Sequence, residues 1–118
     1  GRTALQITTN GSLRGARTCA LLDDHSVKCW GSGQNNVLGY GNTDPIDKPA
    51  DVGAIDLGPG RTAVHISTSF SHTCAVLDDG SVKCWGSGGP QLGYPDIDES
   101  IGDDETPGDV DPIDFTAP

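Results

Sequence analysis

At 118 residues, with 34% hydrophobic residues and a formal charge of -10, the chain has the length of one small domain but a lower apolar share than such a core ordinarily uses. Seventeen acidic against seven basic residues disfavour a phosphate backbone as partner, and no run of about 18 apolar residues is present to insert into a membrane. Seventeen glycines and eight prolines, with no apolar stripe at helical spacing, favour an all-β chain of short strands and tight turns. The chain shows no basic leader before an apolar centre, as expected of a mature form or of a piece cut from something larger.

In chain order, the first segment is Gly1-Arg2-Thr3-Ala4-Leu5, and the basic residues Arg2, Arg14 and Arg17 gather near it. Asn10-Gly11-Ser12 satisfies the N-glycosylation sequon, which would make Asn10 an attachment point in a secreted protein, although Asn-Gly is equally an ordinary turn signal. Next comes Arg17-Thr18-Cys19-Ala20-Leu21-Leu22-Asp23-Asp24-His25-Ser26-Val27-Lys28-Cys29-Trp30-Gly31. It returns 55 residues later as His72-Thr73-Cys74-Ala75-Val76-Leu77-Asp78-Asp79-Gly80-Ser81-Val82-Lys83-Cys84-Trp85-Gly86. A repeat of that period means one supersecondary unit used twice. The unit reads as a β-hairpin, with Thr73–Leu77 and Ser81–Trp85 as strands around the three-residue loop Asp78-Asp79-Gly80. Glycine suits the left-handed last position of such a loop; in the first copy His25 must take that position at some strain.

If Leu77 pairs with Ser81, Cys74 falls opposite Cys84, and the same arithmetic sets Cys19 opposite Cys29. Opposed cysteines in a non-hydrogen-bonded pair lie close enough for a disulfide, and two such pairs with no cysteine left over favour an oxidising compartment. The alternative is reduced, buried cysteine acting as a small hydrophobe. Zinc or dithiol chemistry would want the close C-x-x-C spacing, which is absent. Alternation then puts Cys74, Val76, Val82 and Cys84 on one face and Thr73, Ala75, Leu77, Lys83 and Trp85 on the other. Both faces carry apolar groups, which suits a sheet packed between neighbouring sheets. Trp30 and Trp85, at matching positions, read as packing residues.

Past the second hairpin the chain turns acidic, without Lys or Arg from Asp96 to Asp114. Asp96, Asp98, Asp103, Asp104 and Glu105 offer oxygen ligands of the kind calcium takes, but their order departs from the helix-flanked calcium loop, so a solvated acidic loop is the competing reading. No other cofactor is expected. His25, His65 and His72 stand in unrelated contexts, with no nucleophile elbow, phosphate-cradling loop or paired zinc histidines, so the chain is not expected to be an enzyme.

The run Ser71–Gly86, with Gln91-Leu92-Gly93-Tyr94 and Thr106-Pro107-Gly108-Asp109-Val110 after it, resembles the regulator-of-chromosome-condensation repeat. The first copy is similar through Leu38-Gly39-Tyr40 and Lys48-Pro49-Ala50-Asp51-Val52, though it carries Arg17 in place of His72 and a four-residue insertion around Asn10–Ala16. The resemblance implies two consecutive four-stranded β-propeller blades: a first blade-like repeat over residues 1–59, and a second over 60–118 that includes the acidic loop 95–112. The paired cysteines look like the secreted bacterial branch of that family. Nuclear members act as nucleotide-exchange factors, a role that suits neither the cysteines nor the charge. Propellers close with about 4–8 blades, so two repeats imply a piece of a longer propeller, a ring protomer or an open head-to-tail array. The ends Pro112-Ile113-Asp114-Phe115 and Gly1-Arg2-Thr3-Ala4, laid together, nearly reproduce the internal join Ala54–Val64. The implied function is non-catalytic: an extracellular or cell-surface scaffold acting by protein binding or self-assembly, with other copies or further blades as partners. The alternatives are a structural subunit of a filament or ring, and a calcium-dependent adhesin using the acidic loop.

Overall fold

The computed structural model describes residues 2–12, 15–31, 38–41, 46, 48–69, 72–86, 101 and 106–115. Strands β1 (Ala4–Ser12), β2 (Gly15–Leu22) and β3 (Val27–Gly31) form one antiparallel sheet in that order; β4 (Ala63–Thr68), β5 (His72–Leu77) and β6 (Val82–Gly86) form a second. Short 3-10 turns at Pro49–Asp51 and Pro107–Asp109 follow the two sheets, and there is no α-helix among the described residues. The chain is therefore all-β.

The turn chemistry sets the register. Leu77 donates its amide to the Ser81 carbonyl at 2.8 Å, and Asp79 accepts from the Ser81 hydroxyl at 2.6 Å and the Ser81 amide at 3.0 Å. The first hairpin repeats this with Leu22, Asp24 and Ser26. From those turns the pairing runs back to Cys74 opposite Cys84 and Cys19 opposite Cys29. Gly80 has φ 85° and His25 φ 65°, so histidine does occupy the left-handed position. Its ring nitrogen Nδ1 lies 3.1 Å from the Ala63 carbonyl and its own carbonyl accepts from Ala63 N at 2.9 Å, which ties the first hairpin tip to the start of β4. Replacing His25 with glycine relieves the backbone but loses the ring contact, and the two effects should offset to within about 0.5 kcal/mol; alanine keeps the strain, loses the contact and should cost about 1 kcal/mol. Thermal melts of both variants check the order.

Each sheet is clamped at the same corner. Asp23 N donates to Thr3 O at 2.8 Å and Asp78 N to Thr62 O at 2.9 Å, with Arg2 beside Asp23 and Asp24, and Arg61 beside Asp78 and Asp79. A register shift follows in both inner strands, between Ala4 and Gln6 and between Ala63 and His65. The bulged residues Leu5 and Val64 are exposed.

Where a four-stranded blade is expected, the described residues give three strands and a single bridge. Gly31 and Ile46 exchange both backbone bonds, at 2.8 and 3.2 Å, and Gly86 and Ile101 do the same at 2.8 Å each way. Other groups complete the edge of β3. The Tyr40 hydroxyl accepts from Cys29 N and donates to Cys29 O, both at 2.9 Å, and Ile55 N donates to Val27 O at 2.8 Å. Those contacts satisfy the outward backbone groups that a fourth strand would otherwise pair. They also show that Cys29 sits in a non-hydrogen-bonded pair, the geometry that brings opposed Cα atoms close. Cα separations are 4.1 Å for Cys19 and Cys29 and 4.0 Å for Cys74 and Cys84, with the sulfurs of each pair at bonding distance.

One core joins the sheets. The cysteine face of the first (Cys19, Leu21, Val27, Cys29) packs on the tryptophan face of the second (Ala75, Leu77, Trp85), with Leu38, Ile55 and Leu57 between them.

Candidate functional site

The two sheets present the same residues on the same faces, yet only one tryptophan face is covered. On the second sheet Ala63, Ile66, Ala75, Leu77, Lys83 and Trp85 are all buried. Their counterparts on the first sheet are Ala4, Ile7, Ala20, Leu22, Lys28 and Trp30. Of these Ala4 and Ile7 are exposed, Leu22, Lys28 and Trp30 half-buried, and only the small Ala20 is buried. Ile7 is 61% exposed where Ile66 is 1%. Together with Arg2, Pro49 and Ala50 they line an open groove of about 420 Å³. Apolar surface is gathered here in one place, with Arg2, paired to Asp23 and Asp24, and Lys28, bonded to Pro49 O, beside it.

The covered face shows what such a surface binds. Trp85 Nε1 donates to the Leu38 carbonyl at 3.1 Å, and Gly39, at φ 110°, lies so close over the indole that a Cβ there would stand 2.8 Å from Nε1. Hence the glycine of Leu38-Gly39-Tyr40: it supplies the left-handed turn and the close approach together. Lys83 is buried with its Nζ donating to the Leu57 carbonyl at 3.1 Å. Its counterpart Lys28 donates instead to Pro49 O of its own repeat, also at 3.1 Å. Beside them Gly108 N donates to Asp56 O at 2.8 Å, and the Thr106 hydroxyl to Asp56 Oδ2 at 3.3 Å. A Cβ on Gly108 would come within 2.6 Å of Asp56 Oδ1 and 2.8 Å of Gly58 N.

A second seam joins the inner strands. Gln6 spans the free edge of β4 as a backbone would, its Nε2 donating to Ile66 O at 2.8 Å and its Oε1 accepting from Ile66 N at 3.1 Å; Thr8 Oγ1 accepts from Thr68 N at 3.3 Å. The corresponding residues of β4, His65 and Ser67, are exposed. Sequence reasoning put Lys83 on the tryptophan face but gave neither its partner nor any role for Gln6 or Lys28, because a lone amide or lysine in a strand carries no such signal without its neighbour.

Arg17 and His72, one of three departures inside the repeated hairpin with Leu21/Val76 and His25/Gly80, converge on Ser69. Arg17 is buried and donates through Nη2 to Ser69 O at 3.2 Å; the His72 ring lies 3.0 Å from the Ser69 hydroxyl. Burial, and then the Arg17 charge, hold the His72 pKa below its ordinary value. The neutral ring is the one the fold prefers, so the unfolded chain takes up this proton first. That contribution to stability is complete above about pH 6.5 and is lost as pH falls through the folded value. Melting temperatures should drop more steeply from pH 7 to 5 in the parent protein than in His72→Gln. Burial raises the Tyr40 pKa against the opposing hydrogen bond to Cys29.

The other sequence candidates do not converge. Asp96, Asp98, Asp103, Asp104 and Glu105 lie outside the described residues, and of Asn10 the backbone is described, paired with Arg17 near the end of the β1–β2 hairpin. Among the described residues no three His, Cys, Asp or Glu side chains are grouped to hold a metal, and no helix is long and apolar enough to cross a membrane.

Two antiparallel sheets of one repeated design, packed face to face, are consistent with consecutive β-propeller blades. Residues 63–89 match the family model of the regulator of chromosome condensation (RCC1) repeat. The chain is 31% identical over 70 residues to human E3 ubiquitin-protein ligase HERC2, 35% over 71 residues to zebrafish serine/threonine-protein kinase Nek8, and 30% over 76 residues to rat Alsin. Those stretches are 58%, 60% and 64% of this chain but 1%, 10% and 4% of the relatives, so the chain spans a small part of each. Repeats of this type generally mediate protein–protein interaction.

Proposed function

We propose that the chain is a non-catalytic binding scaffold of two blade-like repeats, residues 1–59 and 60–118, the second carrying the acidic loop 95–112. It works outside the cell, stapled by Cys19–Cys29 and Cys74–Cys84, through protein contact that includes assembly into a ring or filament. One observation carries this reading: the Trp30 face is open where the identical Trp85 face is covered by a neighbouring repeat. Of its polar neighbours, Lys28 donates to Pro49 O and Arg2 pairs with Asp23 and Asp24. Cysteines at bonding distance in both sheets support an oxidising setting.

Fluorine NMR on protein labelled with 5-fluorotryptophan tests it. Titration with a separately produced RCC1-type repeat polypeptide should move the Trp30 resonance and leave that of buried Trp85 in place. A Trp30 signal unmoved at saturating partner would defeat the reading.

A further inference from the structure

We infer that the two sheets part as units at the turn Gly58-Pro59-Gly60 and exchange between chains, so that the first sheet of one copy closes on the second sheet of another. The inference rests on the self-assembly part of the scaffold reading and names its partner, a second copy of this chain.

The covalent and ionic ties lie inside the sheets. Cys19–Cys29 joins β2 to β3, and Cys74–Cys84 joins β5 to β6. Arg2 clamps the start of the first sheet on Asp23 and Asp24, and Arg61 the start of the second on Asp78 and Asp79. Each sheet therefore keeps its register when the joint opens. What crosses the joint is of another kind. Gln6 bonds both backbone groups of Ile66, Arg17 the carbonyl of Ser69, Trp85 that of Leu38 and Lys83 that of Leu57. The remainder is apolar packing around Leu38, Ile55, Leu57 and Trp85. Opening alone bares that core and parts the buried Lys83 and Trp85 from their acceptors, which is costly. A second copy offers every one of these groups in the same geometry, so exchange restores the whole joint.

The hinge is short and fixed at both ends. Before it, Ile55 N on Val27 O keeps the covering segment Ile55-Asp56-Leu57 with the first sheet. After it, Thr62 is held to the second sheet, its carbonyl accepting from Asp78 N at 2.9 Å. Between them Gly58 and Gly60 take φ 117° and 71°, and the Arg61 amide donates to the Gly58 carbonyl at 3.1 Å, which folds the chain back. A Cβ on Gly60 would meet nothing within 4 Å, so this part of the turn is held by its own backbone and not by packing. Drawing out Gly58-Pro59-Gly60 gives a span of about 10 Å and gives up little besides the turn hydrogen bond. A short turn that alone returns one sheet onto the other is where exchange arises. Closed between two chains the exchange makes a dimer; passed from chain to chain it makes a ring or filament.

Refolding from urea with the disulfides intact, over a concentration series read by light scattering, tests this. The parent protein should give a dimer fraction that rises with concentration. Gly60→Val sets a β-branched residue at φ 71° in the closed turn and is relieved in the drawn-out one. At about a tenfold cost for each such residue, and with two hinges per dimer, it should tighten dimerisation on the order of a hundredfold. Deleting Pro59 and Gly60, which leaves too little chain to fold back, should abolish the monomer; a Gly-Ser-Gly insert after Gly60 should lower the dimer fraction. In dimers refolded from equal parts of nitrogen-15 and carbon-13 labelled chains, isotope-filtered NOEs should join Trp85 of one chain to Leu38 and Ile55 of the other. Monomers from the parent and from both hinge variants, or dimers in which Trp85 meets Leu38 only within a chain, overturn the inference. If monomers persist while an RCC1-type repeat polypeptide still moves the Trp30 resonance, exchange fails and the scaffold reading stands.

Discussion

Replacing Trp85 with alanine should destabilise the fold by about 3–5 kcal/mol, while the same change at Trp30 should cost about 1 kcal/mol or less. Both tryptophans sit in the same Lys-Cys-Trp-Gly sequence, and both project from the same position of an edge strand. Their surroundings differ. Trp85 is 0% exposed, held at Nε1 by Leu38 O and lidded by Gly39 and Ile55. Truncating it removes the ring from the centre of the joint core and leaves the Leu38 carbonyl without its donor, so the cavity and the unmet polar group add. Trp30 is half-buried at the rim of an open groove, where solvent fills the space its ring leaves. Urea unfolding of the two variants, with Lys83→Met and Lys28→Met as a second pair, measures the contrast directly. Equal losses at 30 and 85 would mean that the two faces are covered alike. Addition of a partner should then raise the cost at Trp30 towards that at Trp85.

That contrast also marks where sequence reasoning stops. The hairpin register was legible because Asp-x-Ser turn chemistry fixes one end and alternation propagates it, so that Cys19 and Cys29, ten residues apart, could be set opposite each other in advance. The preference for two apolar faces was legible in the same alternation. Which face is covered was not, because the tryptophan-face residues of the two segments are the same, Ala20, Leu22, Lys28 and Trp30 matching Ala75, Leu77, Lys83 and Trp85, and differ only in what stands next to them. Gln6 illustrates a second limit: it looks like a polar strand residue and acts as a surrogate backbone for β4, a role that exists only once Ile66 is brought alongside. The described residues do not show the fourth strand. The family pattern supplies a strand there; in the first repeat the described contacts at the edge of β3 come from Ile46, the Tyr40 hydroxyl and Ile55 in turn. Gly39 and Gly108 were visible as glycines, but the close approaches that require them were not.

Removing both cysteine pairs should have the largest effect of any change confined to side chains. Each bridge spans a separation of 10 residues, and on the chain-entropy account a loop of that size contributes about 2.7 kcal/mol, so the pair of them supplies about 5 kcal/mol. A domain this small holds a net stability of about 5–15 kcal/mol, and the low apolar share places this one towards the lower end. Cys29→Ser together with Cys84→Ser should therefore leave the chain largely unfolded at 37 °C, while either single change should leave a folded protein with a lower melting temperature. The two bridges should also differ in access. Cys19 and Cys29 are sealed between the sheets, whereas Cys74 is half-buried on the outer face of the second sheet. Under graded dithiothreitol, trapping with iodoacetamide and mass mapping should find Cys74 and Cys84 alkylated first, with Cys19 and Cys29 following only as the sheets separate.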